Sequence, residues 1–170
     1  LSCAAISNDI SNKTKIFHVS SISLALSATL RNTAFEMIKN FKKAGALISF
    51  DVNYRSALWS EEEAREVIEK IFPYVDLLFV SEETSRRMLQ RTGTLEEIMK
   101  DYCDKYGCKL VACTMREVIS PTEHNFTSKI YYDGKFYTEK PYEHINVIDR
   151  IGSGDAYLAG ILYGIVKQVG

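Results

Sequence analysis

The sequence predicts an α/β fold in which helices cover both faces of a mostly parallel sheet, a three-layer αβα sandwich. Short apolar runs with strand character alternate with amphipathic segments of about a dozen residues, the pattern of parallel strands joined by helical crossovers. The run 46–52 is largely apolar, as expected for a strand that is buried on both faces. Asp133-Gly134 lies between two aromatic runs and indicates a hairpin, which is a local change from the parallel pattern.

The predicted elements alternate along the chain. Ser60 is expected to cap a helix because three glutamates follow it, where the helix dipole favours acidic side chains. Gly107 is expected to end another helix. The last predicted strand, 145–148, is expected to be parallel like the others. The predicted strands are 16–19, 46–52, 76–80, 109–114 and 145–148, the hairpin is 129–137, and the helices are 33–43, from Ser60, 94–106 and from about Asp155.

Length and composition indicate one globular domain over residues 1–170. The chain is 46% hydrophobic and 25% charged, which favours a packed core over a disordered chain. Its net charge of −1 gives no electrostatic reason to expect a nucleic-acid or anionic-membrane partner. The apolar run 156–166 is shorter than the roughly 20 residues that span a bilayer. The start at Leu1 does not have the pattern of a signal peptide, and four cysteines without paired spacing indicate reduced thiols in the cytoplasm.

A glycine-rich turn is predicted between the last strand and the last helix, at Gly152-Ser153-Gly154-Asp155. Glycines allow the backbone to turn tightly, so that successive amides converge on an anion at the helix N-terminus. Asp155 falls in the first helical turn, where an ionised carboxylate can accept a proton from a hydroxyl that attacks a phosphoryl group. For such a motif in isolation, a plain turn with Asp155 as a capping residue is the commoner meaning.

Polar side chains also follow the predicted strand 46–52. Asp51, Asn53 and Arg55 alternate with apolar residues, so they share one side if the chain stays extended. The carboxyl end of a parallel strand faces the crevice where ligands bind in open α/β sheets. Arg55 offers a planar donor fork that suits a carboxylate or phosphate, although an ion pair with a surface glutamate explains an arginine there equally well.

Residues 148–160 resemble the C-terminal signature of the ribokinase (PfkB) family of sugar kinases. The resemblance implies a ribokinase-like fold, ATP as the phosphate donor and Mg²⁺ as a charge neutraliser. It implies that Gly152, Ser153 and Gly154 form the anion hole and that Asp155 is the catalytic base. Arg150 and Ile151 replace the threonine-rich pair that is common in the family, which leaves the base intact and weakens the case for a nearby monovalent-cation site.

The segment 51–59 is similar to its counterpart in the 2-keto-3-deoxygluconate kinase branch of that family. The similarity implies that Arg55 binds the carboxylate of a sugar acid and that Asn53 lies on the nucleotide-phosphate side. Thr114 and Arg116 occupy the place where the family runs a polar turn over the nucleotide, which implies a nucleotide-binding role. A solvated arginine is an equally good explanation for Arg116.

The sequence departs from the family after the strand 76–80. Ser81 and Thr84 stand where the family often has Asn-x-x-Glu, whose glutamate assists the magnesium and phosphate region. No metal ligand is therefore assigned, and Glu82 and Glu83 are expected to act only through water. Helix capping by Ser81, with the acidic pair at the helix start, explains the segment without any ligand.

The resemblance covers the middle and later part of the family domain, so the chain is expected to be a fragment without the lid and the adenine wall. Weak or no phosphorylation is expected from the chain alone, because closure excludes water. The expected partners are ATP and a sugar acid, with a homo-oligomer through the missing lid. The alternatives are a neutral sugar such as fructose or ribose, a nucleoside, or a non-catalytic binding module. A Rossmann oxidoreductase is disfavoured because its glycines follow an early strand.

Overall fold

The computed structural model describes residues 8–149 and 151–167. Helices and strands alternate through the first two thirds of the chain, and strands dominate the part before the last helix. The helices are α1 (Asn8–Lys13), α2 (Ser21–Ala25), α3 (Ala28–Lys43), α4 (Glu61–Glu69), α5 (Glu82–Arg87), α6 (Leu95–Tyr106) and α7 (Ser153–Lys167). The strands are β1 (Ile16–Ser20), β2 (Leu47–Asp51), β3 (Leu77–Ser81), β4 (Leu110–Ser120), β5 (Glu123–Tyr132), β6 (Lys135–Thr138) and β7 (Tyr142–Asn146), and a 3₁₀ turn spans Phe72–Tyr74.

The sheet has the strand order β1-β2-β3-β4-β5-β6, with β7 also paired to β5. The pairs β1–β2, β2–β3 and β3–β4 are parallel, as the alternation of strands and helices predicts. The pairs β5–β6 and β5–β7 are antiparallel. The predicted hairpin is confirmed, because Asp133 and Gly134 take φ angles of +50° and +73° between β5 and β6.

The prediction for the last strand is wrong in position and direction. The strand lies at Tyr142–Asn146 rather than 145–148, and it runs antiparallel to β5. Only the three residues 139–141 separate β6 from β7. A parallel neighbour requires a crossover of about a dozen residues or more. Because this connection is short, the chain continues in the direction of β6 and pairs with β5 as a second antiparallel strand. Its side chains are all exposed.

The described residues fall into two compact units, which are considered separately. The larger unit comprises the residues up to Met115 together with Ser128–Glu139, and the smaller unit comprises Arg116–Thr127 and the residues from Lys140 onward. The strands β4 and β5 contribute residues to both units. A single domain over residues 1–170 stays a prediction.

The larger unit holds an apolar core. Its largest fully buried side chains include Phe50, Phe72 and Tyr102, and the rings of Phe72 and Tyr102 lie 5.5 Å apart in an edge-on contact. Local signals place the helices around this core. The hydroxyl of Ser60 accepts a hydrogen bond from the amide of Glu63, and Gly107 ends α6 with a φ of +77°, so both predictions are confirmed.

The start of α3 differs from its prediction. The helix begins at Ala28 rather than 33, because the hydroxyl of Ser27 accepts the amide of Leu30 and caps it. The first turn of α3 has few apolar residues. The spacing of apolar residues alone therefore predicts a later start of this helix. Among the described helices, none combines the length and the apolar character needed to cross a membrane.

The smaller unit is thinly packed. Among its described residues only His124 and Leu158 are buried. The ring of Phe126 on β5 meets that of Tyr157 on α7 edge-on, with centroids 6.3 Å apart. Several apolar side chains of this unit are exposed, including Ile148, Ile151 and Tyr163. The unit depends on strand pairing and on its turn more than on burial.

Candidate functional site

The glycine turn lies in the smaller unit and leads directly into α7. The amide of Ile151 donates to the carboxylate of Asp149 at 2.8 Å, and Gly152 follows with a φ of +79°. That φ lies in the left-handed region, which favours glycine. The carbonyl of Gly152 then accepts the amide of Ala156 at 2.8 Å, the first hydrogen bond of the helix.

This turn leaves a row of amides that have no partner among the described residues. The first N–H groups of a helix have no acceptor within the helix, and here they belong to Ser153, Gly154 and Asp155. All three residues are exposed. A Cβ built on Gly152 or Gly154 meets no atom within 4 Å, so the backbone is open to an approaching group. The arrangement suits an anion, because amide dipoles and the helix macrodipole point the same way.

Asp155 lies in the first turn of α7, as predicted. Its carboxylate makes no hydrogen bond or ion pair with any described residue, so it caps no backbone amide there. A stabilising effect of Asp155 on the helix dipole remains open to it, as for any acidic residue in a first turn. An exposed carboxylate beside unpaired amides is free to take a proton from a ligand.

Arg116 lies beside the same turn. Its Nη2 donates to the hydroxyl oxygen of Ser153 at 3.4 Å, although 37 positions separate the two residues. Both belong to the smaller unit. The neighbouring Glu117 accepts a hydrogen bond from Asn125 at 2.8 Å. No local pattern predicts the contact between Arg116 and Ser153, and the one indication is an arginine that closely follows the buried part of β4.

The strand end around Asn53 lies in the larger unit. Val52 is buried and its amide donates to the carbonyl of Phe79 at 2.8 Å, whereas Asp51 and Asn53 are half-buried and Arg55 is exposed. The burial of Val52 between Asp51 and Asn53 agrees with a shared side for these two polar residues, whereas Tyr54 and Arg55 lie beyond the end of β2 without this alternation. Arg55 donates to the carbonyl of Tyr54 at 3.0 Å and makes no ion pair within the described residues. An ion pair with a surface glutamate therefore does not explain Arg55 within the described residues.

Strand register aligns further polar residues in the larger unit. Asp51 is level with Phe79, and Ser81 is level with Thr114. Two residues beyond Asp51, Asn53 comes level with Ser81 if the register continues. Asp51 and Ser81 are the last residues of β2 and β3, and Thr114 lies level with Ser81 within β4. The carboxyl ends of β2 and β3 thus present polar side chains at the edge where open parallel sheets bind ligands.

The side chains of the segment after β3 make hydrogen bonds and ion pairs within that segment. The hydroxyl of Ser81 accepts the amide of Thr84 at 3.0 Å and caps α5, as the explanation without a ligand predicts. Glu82 pairs with Arg86 at 2.8 Å and Glu83 with Arg87 at 3.0 Å. No group of three or more His, Cys, Asp or Glu side chains is placed to hold a metal ion within the described residues. Arg150 lies outside the described residues.

The pfkB family model for carbohydrate kinases matches residues 3–170. The chain belongs to this family. It is 32% identical over 158 residues to a 2-dehydro-3-deoxygalactonokinase of Haloferax volcanii, and the match covers 93% of this chain and 47% of the relative. It is 31% identical over 161 residues to fructokinase-1 of Zea mays, with 94% of this chain and 46% of the relative covered.

A solved structure gives the same result for the fold. The 2-dehydro-3-deoxygluconokinase of Thermotoga maritima superposes with a TM-score of 0.89 at 30% identity, over 95% of this chain and 51% of that one. The predicted three-layer ribokinase-like fold is confirmed. The chain spans about half the length of the relatives it matches.

Proposed function

We propose that the protein transfers the γ-phosphoryl group of ATP to a hydroxyl of a sugar acid, with 2-keto-3-deoxygluconate and its 6-phosphate as the favoured substrate and product. The observation that carries the proposal is the open turn at Gly152–Gly154 with the unpaired carboxylate of Asp155, in a chain of the pfkB family. Relatives that act on 2-dehydro-3-deoxy sugar acids support the substrate class.

The proposed chemistry assigns one role to each part of the turn. The acceptor hydroxyl attacks the γ-phosphorus, its oxygen forms the new P–O bond, and its proton passes to the carboxylate of Asp155. The bond between the γ-phosphorus and the bridging oxygen breaks, and ADP leaves with the electron pair. The amides of Ser153 and Gly154 hold the negative charge that spreads over the phosphoryl oxygens during transfer.

Magnesium remains part of the proposal on family grounds. When bound with a nucleotide, Mg²⁺ neutralises phosphate charge and usually keeps several waters, so it needs few protein ligands. Glu82 and Glu83 are paired with arginines, so they are proposed to reach the metal only through its waters.

Arg55 is proposed to bind the substrate carboxylate. Its guanidinium is exposed and makes no ion pair with the described residues, so its donor fork is available. In the larger unit, Asn53, which follows β2, and Thr114, within β4, are proposed to bind the nucleotide. Arg116 of the smaller unit is proposed separately to bind it.

A neutral hexose is the second candidate substrate, and the similarity to fructokinase-1 of Zea mays favours it. A panel of sugar acids, fructose, ribose and nucleosides, compared by kcat/KM in the natural protein that carries this sequence, separates the candidates. We expect 2-keto-3-deoxygluconate to have the highest value, and Arg55→Ala to lower it about 100-fold, since a charged hydrogen-bonding partner is lost.

Arg55→Lys is the matched control, because it keeps the charge and removes the planar fork. An intermediate loss is expected for it. If fructose is preferred and Arg55→Ala costs nothing, the sugar-acid assignment fails while the kinase assignment stands. If no acceptor in the panel consumes ATP, the protein is a binding module and the proposed function itself is wrong.

We also propose a cytoplasmic location. Cys103, Cys108 and Cys113 are free thiols. Burial raises the pKa of Cys103 to about 11 and that of Cys108 and Cys113 to about 12, so these thiols stay protonated and unreactive at neutral pH. Free, protonated thiols are typical of a reducing compartment. A homo-oligomer through a lid stays a prediction of the family resemblance.

A further inference from the structure

The contact between Arg116 and Ser153 brings a positive charge to the glycine turn. Arg116 Nη2 lies 3.4 Å from Ser153 Oγ, and the guanidinium is exposed. Arg116 makes no ion pair with the described residues, and the acid next to it in sequence, Glu117, is hydrogen-bonded to Asn125. The charge of Arg116 is therefore not neutralised within the described part of the smaller unit.

The hydroxyl oxygen of Ser153 is the acceptor in this contact. A hydroxyl has one proton to donate and two lone pairs, and one lone pair of Ser153 accepts from Arg116. The proton of that hydroxyl is then left for an acceptor on the open side of the turn. With the unpaired amides of Ser153 and Gly154, the turn presents donors from the backbone, from a hydroxyl and from a guanidinium.

Such a donor set suits a group with several charged oxygens. A guanidinium has five N–H donors, and it pairs well with phosphate because two of them can bond to two oxygens of the same group. Asp155 lies two residues beyond Ser153 in the same helical turn. A phosphoryl group held at Ser153 is therefore close to the proposed base, which is where the acceptor hydroxyl must attack it.

We propose that Arg116 and Ser153 bind the γ-phosphoryl group while it is being transferred, rather than the nucleotide at rest. The inference rests on the proposed function and deepens it. A nucleotide-binding role does not say whether Arg116 and Ser153 contact the phosphoryl group in bound ATP or during its transfer. During transfer, charge spreads onto the three equatorial oxygens of the phosphoryl group. An interaction that strengthens at that moment raises kcat, whereas one that is equally strong in the ground state changes only KM.

The experiment measures kcat and the KM for ATP separately, at saturating sugar, in the natural protein and its variants. Arg116→Ala is expected to lower kcat about 100-fold with the KM for ATP nearly unchanged, the size of effect seen when one donor to a developing oxyanion is removed. Arg116→Lys is expected to recover part of that loss, because it restores the charge and not the fork. Ser153→Ala is expected to lower kcat about 10-fold, since the amide of residue 153 remains.

Glu117→Gln is the matched control. It changes a charge at the position next to Arg116, keeps an acceptor for Asn125, and is expected to leave kcat and KM unchanged. Two results overturn the inference while the proposed function stands: a higher KM for ATP at constant kcat in Arg116→Ala, or no change in either quantity. Absence of phosphate transfer by the unmodified protein with every sugar tested contradicts the proposed function instead.

Discussion

The two units of the chain differ in what holds them together. The larger unit encloses fully buried side chains such as Phe72 and Tyr102, whereas only His124 and Leu158 are buried among the described residues of the smaller unit. The proposed base and anion turn belong to the thinly packed unit, and their donors and acceptors are exposed. Because exposed polar groups stay hydrated, leaving them unpaired costs little stability. The comparison therefore separates the residues that stabilise the fold from those that are available for chemistry.

The largest expected difference concerns core truncation. Phe72→Ala in the larger unit is expected to lower the free energy of unfolding by about 4 kcal/mol, through lost burial and a cavity among closely packed rings. Leu158→Ala in the smaller unit is expected to cost about 2 kcal/mol, since few buried neighbours surround it. Urea unfolding of both variants measures the difference. Equal losses contradict a core that is concentrated in the larger unit.

The next effect concerns Asp76, a buried carboxylate of the larger unit. Burial alone raises the pKa of Asp76, but hydrogen bonds from Lys42 at 2.6 Å, from the amide of Ile48 at 3.0 Å and from Lys109 outweigh it and hold the pKa below its usual value. Asp76→Asn is expected to cost about 2 kcal/mol at pH 7, because charge-assisted bonds to the carboxylate are lost.

The stabilisation from Asp76 depends on pH in a defined direction. A lowered folded-state pKa stabilises the protein above the unfolded value of 3.8, and the benefit is lost as pH falls through the lower folded value. Unfolding curves of the two proteins are therefore expected to converge below about pH 4. A constant difference down to pH 2 contradicts the assignment.

The smallest expected effect on stability concerns two glycines with positive φ. Gly107 ends α6 in the larger unit at +77°, and Gly152 precedes α7 in the smaller unit at +79°. Each change to alanine is expected to cost about 1 kcal/mol, because a Cβ strains the left-handed backbone. Only Gly152→Ala is expected to lower kcat, since it moves the amides of the turn. Thermal unfolding and initial rates measure both, and equal activity of the two variants contradicts the functional contrast.

Local chemistry predicted much of this fold. The hydroxyl cap at Ser60, the left-handed glycine at Gly107 and the hairpin at Asp133-Gly134 each depend on a few adjacent residues, so they are visible in the sequence. The start of α3 was missed because the cap at Ser27 precedes any apolar spacing.

Features that depend on distant parts of the chain were not predictable in the same way. The apolar run 145–148 does not reveal which strand pairs with it, and the neighbour and direction of β7 follow from its short connection to β6. The contact of Arg116 with Ser153 joins β4 to the start of α7, so no local pattern contains it. The position of Asp155 in the first turn of α7 was predicted, because glycines and the apolar helix beyond them adjoin it.

The most direct test of the account is the rate of phosphoryl transfer after Asp155→Asn in the natural protein. Asp149→Asn is the matched control, because its amide oxygen can still accept the hydrogen bond from Ile151 that shapes the turn. We expect Asp155→Asn to lower kcat at least about 1,000-fold with ATP affinity largely preserved, since the proton acceptor is lost and the amides remain. Asp149→Asn is expected to stay within about threefold of the unmodified protein, given that a retained acceptor keeps the turn. Undiminished turnover in Asp155→Asn contradicts the role of this carboxylate as the base.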